Sequence, residues 1–331
     1  MRVLNQPEVE KLLTMEACIE LMDGALRAIS KGDVVLPLRS MVWQPDRTGL
    51  IGLMPGYLGE PRAFGLKVVS VFPANGDAGL PSHQGIVMLF GVEHGEPLGV
   101  FDADAITAIR TAAASGVATR ALARKDACDL AILGAGVQAR THLDAMRAVR
   151  PLRRVRVWSR TAVRAAAFAK TESKRTGLAI EASPTAEAAV RDADLICTTT
   201  AAKEPILRGE WLAPGAHVNA VGACFANSRE LDSEAVRRGR LFTDCIESAR
   251  NESGDFLLAC QEGVIGGAHL LGEIGNVLLG KLEGRRSPDD ITIYESLGIA
   301  IEDLAAAHFL LQRAEETGTG TPIPWNGNAH A

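Results

Sequence analysis

Residues 130–139 read LAILGAGVQA, an apolar run followed directly by a glycine-rich turn. The run predicts a buried strand, and we expect a helix over residues 139–149 after the turn. Gly134, Gly136 and Ala139 occupy the three small-residue positions of the G-x-G-x-x-G/A turn that opens a dinucleotide-binding βα unit. The stretch therefore predicts an α/β Rossmann fold, a doubly wound parallel sheet with helices on both faces.

Each small residue of this turn meets a different steric requirement. The first glycine permits the tight turn, the second lets the backbone approach a pyrophosphate, and the third small residue lets helix and strand pack closely. Free amides at the helix N-terminus then face the anion. We predict that the pyrophosphate of a nicotinamide dinucleotide is held by Gly134, Ala135, Gly136, Val137 and Gln138.

The next apolar strand, at 155–158, indicates which dinucleotide binds. An acid about 20 residues after the turn holds the ribose 2′-hydroxyl of NAD. Here the strand ends on Trp158 and continues as Ser159, Arg160 and Thr161, without an acid. A guanidinium flanked by hydroxyls suits a 2′-phosphate, so NADP (as NADPH) is the predicted cofactor and NAD the possible alternative.

The rest of the chain shows two patterns. From residue 130 to about residue 244, apolar strands alternate with helices, as a parallel doubly wound sheet requires. Between residues 39 and 101, short apolar segments separated by Gly and Pro predict an antiparallel sheet. We expect a helix from Thr14 to Gly32, an Ala-rich helix over 104–122 and a long helix through 297–311. The Gly- and Pro-rich tail from Gly318 is expected to fray.

Composition excludes several classes of protein. A chain of 331 residues suggests about two domains, and a net charge of −5 with interspersed signs offers no basic face to nucleic acid. No apolar run approaches the roughly 20 residues needed to span a bilayer. The six cysteines are scattered without a metal-like grouping, so we expect reduced thiols, no metal and a soluble cytoplasmic protein.

Several motifs, in order along nearly the whole chain, resemble the ornithine cyclodeaminase/mu-crystallin family. The most specific are RTAA at 110–113 and GAGVQA at 134–139. Further matches are KVVSVF at 67–72, PSHQ at 81–84, EPIL at 204–207, PGAHVNAVGA at 214–223 and ESGD at 252–255. The resemblance implies a Rossmann domain, residues 115–296, inserted into a smaller α+β substrate-binding and dimerisation domain, residues 1–114 plus 297–331. It also implies a homodimer formed by the sheets of the smaller domains.

The resemblance further implies that basic residues hold the carboxylate of an amino or imino acid, and these match Arg39, Lys67 and Arg110. Paired cations suit a buried carboxylate, and an arginine binds both of its oxygens. An exposed surface charge is the alternative for Arg39. Lys67 and Arg110 are the predicted catalytic residues. A desolvated Lys67 beside arginines should have a lowered pKa and could donate a proton, or it could act as a fixed charge.

Other residues are assigned to the same predicted sites. Met54, His83 and Cys224 are expected to line the substrate site, although His83 could instead be a turn histidine bonded to the backbone. Cys224 is expected to be a small lining residue and not a nucleophile. Further residues predicted to contact the dinucleotide are Thr111, Thr199, Thr200, Val221, Gly222 and Leu297.

The chain also departs from the cyclodeaminase pattern. Cyclodeamination requires an acid after Ala-Val-Gly and a second acid that receives the terminal amine of ornithine. These positions fall on Cys224 and near Met54, and neither residue can hold a cation. The predicted function is therefore NAD(P)H-dependent reduction of cyclic imino acids in proline metabolism: Δ1-pyrroline-2-carboxylate to L-proline, or Δ1-piperideine-2-carboxylate to L-pipecolate. The alternatives are ornithine cyclodeamination, reductive amination as in alanine dehydrogenase, and non-catalytic NADPH-dependent binding of a small molecule.

Overall fold

A computed structural model describes residues 1–325, apart from the side chains of residues 76–77. Internal contacts divide the chain into two compact units. The first unit contains Met1–Arg110 and the chain from Ile299 onward, and the second contains Thr111–Gly298. The boundaries expected from sequence, at 114/115 and 296/297, lie a few residues from these. Residues 326–331 of the first predicted domain lie outside the described residues.

The secondary structure follows the two patterns of the sequence. The chain begins with β1 (Arg2–Leu4), α1 (Gln6–Leu12), α2 (Met15–Lys31), β2 (Val34–Val35), β3 (Ser40–Trp43), β4 (Leu50–Leu58), β5 (Ala63–Val71), β6 (His83–Phe90), β7 (Pro97–Asp102) and α3 (Ala103–Leu122). It continues with β8 (Asp129–Leu133), α4 (Val137–Val149), β9 (Arg154–Trp158), α5 (Ala162–Thr176), β10 (Ile180–Ala182), α6 (Ala186–Val190), β11 (Leu195–Thr198), β12 (His217–Ala220), α7 (Ser233–Arg238), β13 (Gly239–Thr243), α8 (Ile246–Glu252), α9 (Gly254–Gln261), β14 (Leu270–Glu273), α10 (Ile274–Leu278) and β15 (Ile291–Glu295). The last elements are α11 (Ala300–Thr317) and β16 (Thr321–Pro322).

The sheet of the first unit has the order β16-β1-β7-β6-β5-β4-β2, with β3 also paired to β4. Strands β3 to β7 pair antiparallel, as predicted, whereas β1 pairs parallel to β7. Because side chains alternate across a strand, the sheet has two different faces. One face is buried beneath α11, which lies against β4, β5 and β6 and also packs on α2.

The sheet of the second unit has the order β10-β9-β8-β11-β12-β15-β13-β14, and all of its strand pairs are parallel. The strand order reverses between β8 and β11. The carboxyl ends of these two strands therefore flank a topological switch point, where doubly wound sheets bind their ligands. The predicted α/β class with a Rossmann sheet and a second, smaller sheet is confirmed.

Several local predictions were wrong. The strand expected over 195–200 ends at Thr198, and the last long helix begins at Ala300, so Leu297 precedes it. In the tail that was expected to fray from Gly318, Thr321 pairs with Val3 and the amide of Ile323 donates to Met1 O at 2.8 Å, and residues 326–331 of this tail lie outside the described residues. No helix among the described residues combines the length and apolarity needed to cross a bilayer.

Candidate functional site

The glycine turn predicted from sequence sits at the switch point of the second unit. Gly134 follows β8 with φ +130°, and a Cβ at this position would lie 2.5 Å from Thr199 Oγ1 and 2.8 Å from Thr199 O. Only glycine fits this conformation and this close approach. The amide of Gly134 donates to Trp158 O at 2.8 Å, and the amide of Thr199 donates to Leu133 O at 2.8 Å. The turn is thus tied to the ends of β9 and β11.

Open space surrounds the second glycine of the turn. No heavy atom lies within 4 Å of a Cβ built on Gly136, which caps α4 without a side-chain hydrogen bond. Ala139 is fully buried, so helix and strand pack closely there. An open backbone at the N-terminus of a helix is what an approaching pyrophosphate requires. The residues present therefore fit a dinucleotide.

The predicted 2′-phosphate site lies at the end of β9. Arg160 and Thr161 are exposed, and the hydroxyl of Ser159 accepts from the amide of Thr161 at 3.4 Å. Thr161 caps α5 without using its own side chain for the cap. Ser159, Arg160 and Thr161 adjoin the glycine turn, because the preceding residue, Trp158, accepts a hydrogen bond from the amide of Gly134.

The loops after β11 and β12 are joined by a buried acid that sequence reasoning did not identify. The carboxylate of Glu230 accepts from the amide and hydroxyl of Thr200, both at 2.6 Å, and from the amide of Gly222 at 2.7 Å. A Cβ on Gly222 would lie 2.0 Å from Thr200 O, so this position requires glycine. Asp255 of the ESGD motif accepts from the amides of Glu230 and Leu231 at 2.9 and 2.8 Å.

The other residues of the second unit that were predicted to contact cofactor or substrate lie in several different segments. Leu297 is buried, and its amide donates to Asp244 at 2.8 Å. The amide of Val221 donates to Thr198 O at 3.1 Å, at the end of β11. Thr111 is buried in α3. Cys224 is half-buried, forms no disulfide and packs against the apolar core of its unit.

In the first unit, the two predicted catalytic cations form a buried ion cluster with two acids. Lys67 Nζ lies 3.0 Å from Asp303 Oδ2 and donates to Thr107 Oγ1 at 3.1 Å. Arg110 donates through Nε to Asp303 Oδ1 at 2.9 Å and through Nη1 to Glu302 Oε2 at 2.7 Å. Lys67 and Arg110 are only 4% and 3% exposed, and both acids are fully buried. We call these four charged residues the ion cluster.

Sequence reasoning missed Glu302 and Asp303. Both lie in the first turn of α11, where acids are stabilised by the helix dipole. The available signal was an acidic pair inside the otherwise apolar run AIEDLAAA at 300–307. Adjacent acids on a buried helix need cationic partners. This acidic pair therefore indicates buried cations contributed by another segment of the chain.

The environment of Lys67 explains its proton affinity. Burial lowers its pKa to about 8, and Arg110 and Arg39 act in the same direction, whereas Asp303 opposes them. For Asp303, burial acts to raise the pKa, but Arg110 and Lys67 together hold it below the ordinary value. The lowered pKa that the sequence predicted for Lys67 is confirmed.

Strand register places the other predicted residues of this unit on one face of the sheet, with Arg39, Met54 and Lys67 in one row across it. Met54 is buried directly opposite Lys67 in the β4–β5 pair. Arg39 precedes β3, and continuing the register of β3 by one residue places it opposite Met54. His83 begins β6 on the same face, opposite Val71. Its ring nitrogen Nδ1 lies 3.0 Å from Ser82 Oγ, a side-chain partner.

One cluster of possible metal ligands lies in the second unit. Within residues 1–325, Cys128, Asp129 and Asp194 could offer three ligand atoms within 4.8 Å of one another. Asp194 already accepts from the amides of Cys128 and Asp129 and pairs with Arg124 at 2.5 Å. Asp129 pairs with Arg154 at 2.8 Å. Because protein donors already engage both carboxylates, we assign no metal to this group.

The family model described as the ornithine cyclodeaminase/mu-crystallin family matches residues 1–318. The chain belongs to this family. Among its family relatives, the mouse ketimine reductase mu-crystallin is 39% identical over 308 residues, which cover 92% of this chain and 94% of the relative.

Solved structures of two related enzymes resemble this family member over nearly their whole length. One is the Thermococcus litoralis Δ1-pyrroline-2-carboxylate reductase in complex with NADH and L-proline, which is 39% identical with a TM-score of 0.95. The match covers 98% of this chain and all of that one. The other is an archaeal alanine dehydrogenase dimer with bound NAD, 33% identical with a TM-score of 0.92 over 98% and 99% of the two chains.

Proposed function

We propose that this chain is an NAD(P)H-dependent ketimine reductase. It reduces a cyclic imino acid, Δ1-pyrroline-2-carboxylate or Δ1-piperideine-2-carboxylate, to L-proline or L-pipecolate. The observation that carries the proposal is Met54, which is buried directly opposite Lys67. An apolar side chain beside the cations accommodates an uncharged ring, whereas it cannot receive the terminal ammonium of ornithine. The reductases among the relatives support the same reaction.

The first unit holds the carboxylate of the substrate in this proposal. The two cations and two acids of the ion cluster balance one another, and Arg39 adds a further positive charge along the row that contains Met54 and Lys67. Arg110 is fixed by Glu302 and Asp303, so its guanidinium is oriented before a substrate arrives. Such preorganisation places a carboxylate without reordering of the site.

The second unit holds the dinucleotide. Gly134 to Gln138 cradle the pyrophosphate at the N-terminus of α4, and the loops at Thr199, Thr200, Val221 and Gly222 complete the binding edge. When bound, the dihydronicotinamide supplies a hydride to the carbon of the C=N bond. The nitrogen must gain a proton in the same reduction, and Lys67 is the buried donor whose pKa of about 8 suits this task near neutral pH.

NADPH is the proposed physiological cofactor, because the end of β9 presents Ser159, Arg160 and Thr161 and no acid. The related structures contain NADH or NAD, so this preference is proposed for the present chain alone. Arg160→Asp should weaken NADPH binding by about 10- to 100-fold, and NADH binding should change little. Equal loss for both cofactors, or no loss, would remove Arg160 from the 2′-phosphate site.

A cytoplasmic homodimer is the proposed assembly. The uncovered face of the first unit's sheet carries apolar side chains on adjoining strands, and five of them are at least 40% exposed: Val35, Val42, Ile51, Phe64 and Ile86. A contiguous apolar surface of this kind marks an interface. The archaeal alanine dehydrogenase relative is a dimer, which supports a second copy as the partner.

Three assays with the purified chain test the function. NADPH mixed with Δ1-pyrroline-2-carboxylate should lose absorbance at the rate at which L-proline forms. L-ornithine with NAD should release no ammonia, and ammonia without net cofactor change would favour cyclodeamination. Pyruvate with ammonia and NADH tests the alternative suggested by the alanine dehydrogenase relative. Binding without turnover in all three assays would favour a non-catalytic binder.

A further inference from the structure

Asp303 contacts both cations of the ion cluster. Its Oδ1 accepts from Arg110 Nε at 2.9 Å, and its Oδ2 lies 3.0 Å from Lys67 Nζ. Glu302, the neighbouring acid, bonds Arg110 at 2.7 Å. Both acids of this helical turn therefore contact Arg110, whereas Asp303 also contacts Lys67. This difference makes it possible to separate an effect on Lys67 from an effect on Arg110.

The position of Asp303 keeps it ionised. It lies in the first turn of α11, where the helix dipole favours negative charge. It is fully buried, and its two cationic partners hold its pKa below the ordinary value despite that burial. A carboxylate fixed in this way is a permanent negative charge next to Lys67 Nζ.

Other charged or titratable groups also act on Lys67. Arg110 and Asp104 approach from α3, Arg39 from the segment before β3, and His83 from β6. Glu302 on α11 and Cys18 on α2 adjoin Arg110. Arg39 and Arg110 disfavour a proton on Lys67, whereas Asp303 favours one. Asp303 is thus the acid in direct contact that offsets both burial and the two arginines.

We propose that Asp303 is a positioning residue that holds Lys67 Nζ as the proton donor of imine reduction and sets the pH range in which donation operates. The inference rests on the proposed reductase function. In the step, the hydride forms a new C–H bond, the C=N π pair takes a proton from Lys67 Nζ, and Lys67 regains a proton from water. Asp303 keeps its charge throughout, and it favours the return of the proton to Lys67.

Asp303→Asn tests this role, because it keeps the size of the side chain and removes its charge. An opposite charge within about 4–6 Å typically changes a pKa by 1–3 units. The alkaline limb of the kcat/KM profile should therefore move to lower pH by at least about one pH unit. Lys67→Met removes the titrating group, so the alkaline limb of the kcat/KM profile should disappear. Asp303→Ser, which leaves room for water, replaces the amide variant if the latter does not fold.

Glu302→Gln is the matched control on the same helical turn. It removes a charge from Arg110 without touching Lys67, so it should raise KM for the imino acid about tenfold and leave the limb within about 0.3 pH unit. A purely structural role for Asp303 predicts the same behaviour for both variants, namely lower stability with an unshifted limb. Asp303→Glu, which restores the charge, should bring the limb back toward its wild-type position.

A second measurement does not depend on turnover. The protonation midpoint of Lys67 Nζ can be followed by NMR in lysine-labelled protein, with Lys67→Met identifying the resonance. The midpoint should lie near pH 8 in the wild type and at least about one pH unit lower in Asp303→Asn. An unshifted midpoint overturns the role of Asp303. A shifted midpoint in a protein that reduces no imine would instead reject the proposed function.

Discussion

The first unit buries Glu302 and Asp303 against two cations, whereas the second buries Glu230, Asp244 and Asp255 against backbone amides. Among these described acids, the contact partners differ, and so do the directions in which the pKa values are displaced. The pKa of Asp303 is held low, while burial raises the pKa of Glu230, of Asp244 and of Asp255, the last to about 8. The first arrangement preserves the charge of Asp303, and the second uses carboxyl groups to fix loops.

Arg110→Leu should have the largest effect, because it removes the guanidinium from two buried acids. Breaking a buried pair in this way costs about 3–5 kcal/mol. Turnover should fall by about 10²-fold or more, because the substrate carboxylate is no longer held. Urea unfolding measures the loss of stability, NADPH consumption with the imino acid measures turnover, and NADPH titration measures cofactor affinity. Affinity for NADPH should stay within about threefold, since the glycine turn belongs to the other unit, and retained turnover would refute the carboxylate clamp.

Asp255→Asn should change how stability depends on pH. Asp255 binds its proton more tightly when folded, with a pKa of about 8 against an ordinary value of 3.8. Its contribution to the free energy of unfolding is therefore complete below the pKa that Asp255 has in the unfolded chain, and it is lost as pH rises toward 8. One such group lowers the free energy of unfolding by about 1.4 kcal/mol per pH unit in this interval.

The asparagine can still accept the amides of Glu230 and Leu231 through its own oxygen. It should reduce, without abolishing, the slope between pH 5 and pH 7 in urea unfolding experiments, because burial also raises the pKa of Glu295. Asp303→Asn is the contrasting variant, because the pKa of Asp303 is lowered and its loss cannot flatten that slope. An unchanged slope in Asp255→Asn would mean that Asp255 is ionised in the folded protein.

Ser253→Ala should have an intermediate effect in the second unit. The hydroxyl donates to Glu295 Oε1 at 2.8 Å and accepts from the amide of Phe256 at 3.1 Å, where it caps α9. Losing a cap and a buried hydrogen bond should cost about 1–2 kcal/mol. Thermal unfolding measures the loss, and Ser253→Thr, which keeps the hydroxyl, should recover most of it.

Thr107→Val should have the smallest effect, because it removes one hydrogen bond from Lys67 and leaves Asp303 in place. We expect a loss of about 1 kcal/mol or less in unfolding free energy and a change of less than about threefold in kcat/KM. Thr107→Ser keeps the acceptor and should match the wild type. A loss comparable to that of Arg110→Leu would mean that Thr107, and not Asp303, anchors Lys67.

The sequence predicted well what depends on neighbours along the chain. Gly134 and Gly136 could be assigned from a single strand–turn–helix stretch, because each glycine answers a local backbone requirement. The burial of Lys67 followed from the valines around it. Helix α2 begins after Thr14 and ends at Gly32 as expected, because both residues cap the helix locally.

The sequence could not predict contacts between distant segments. Asp303 meets Lys67 across 236 residues and Arg110 across 193 residues, and no local pattern encodes these pairings. Strand β15 lies between β12 and β13, out of chain order, so its place required the whole sheet. The pairing of Thr321 and Pro322 in the tail was not predicted, because their partner, β1, has only three residues at the opposite end of the chain.

The most direct test of the reductase account follows the hydride itself. NADPH carrying two deuterium atoms at nicotinamide C4 is mixed with the wild-type chain and Δ1-pyrroline-2-carboxylate, and the proline formed is examined by mass spectrometry and NMR. Hydride transfer to the imine predicts one deuterium per proline, on the carbon that bears the carboxylate, and one NADPH consumed per product. Proline without deuterium at that carbon, or no proline despite bound NADPH, would contradict it.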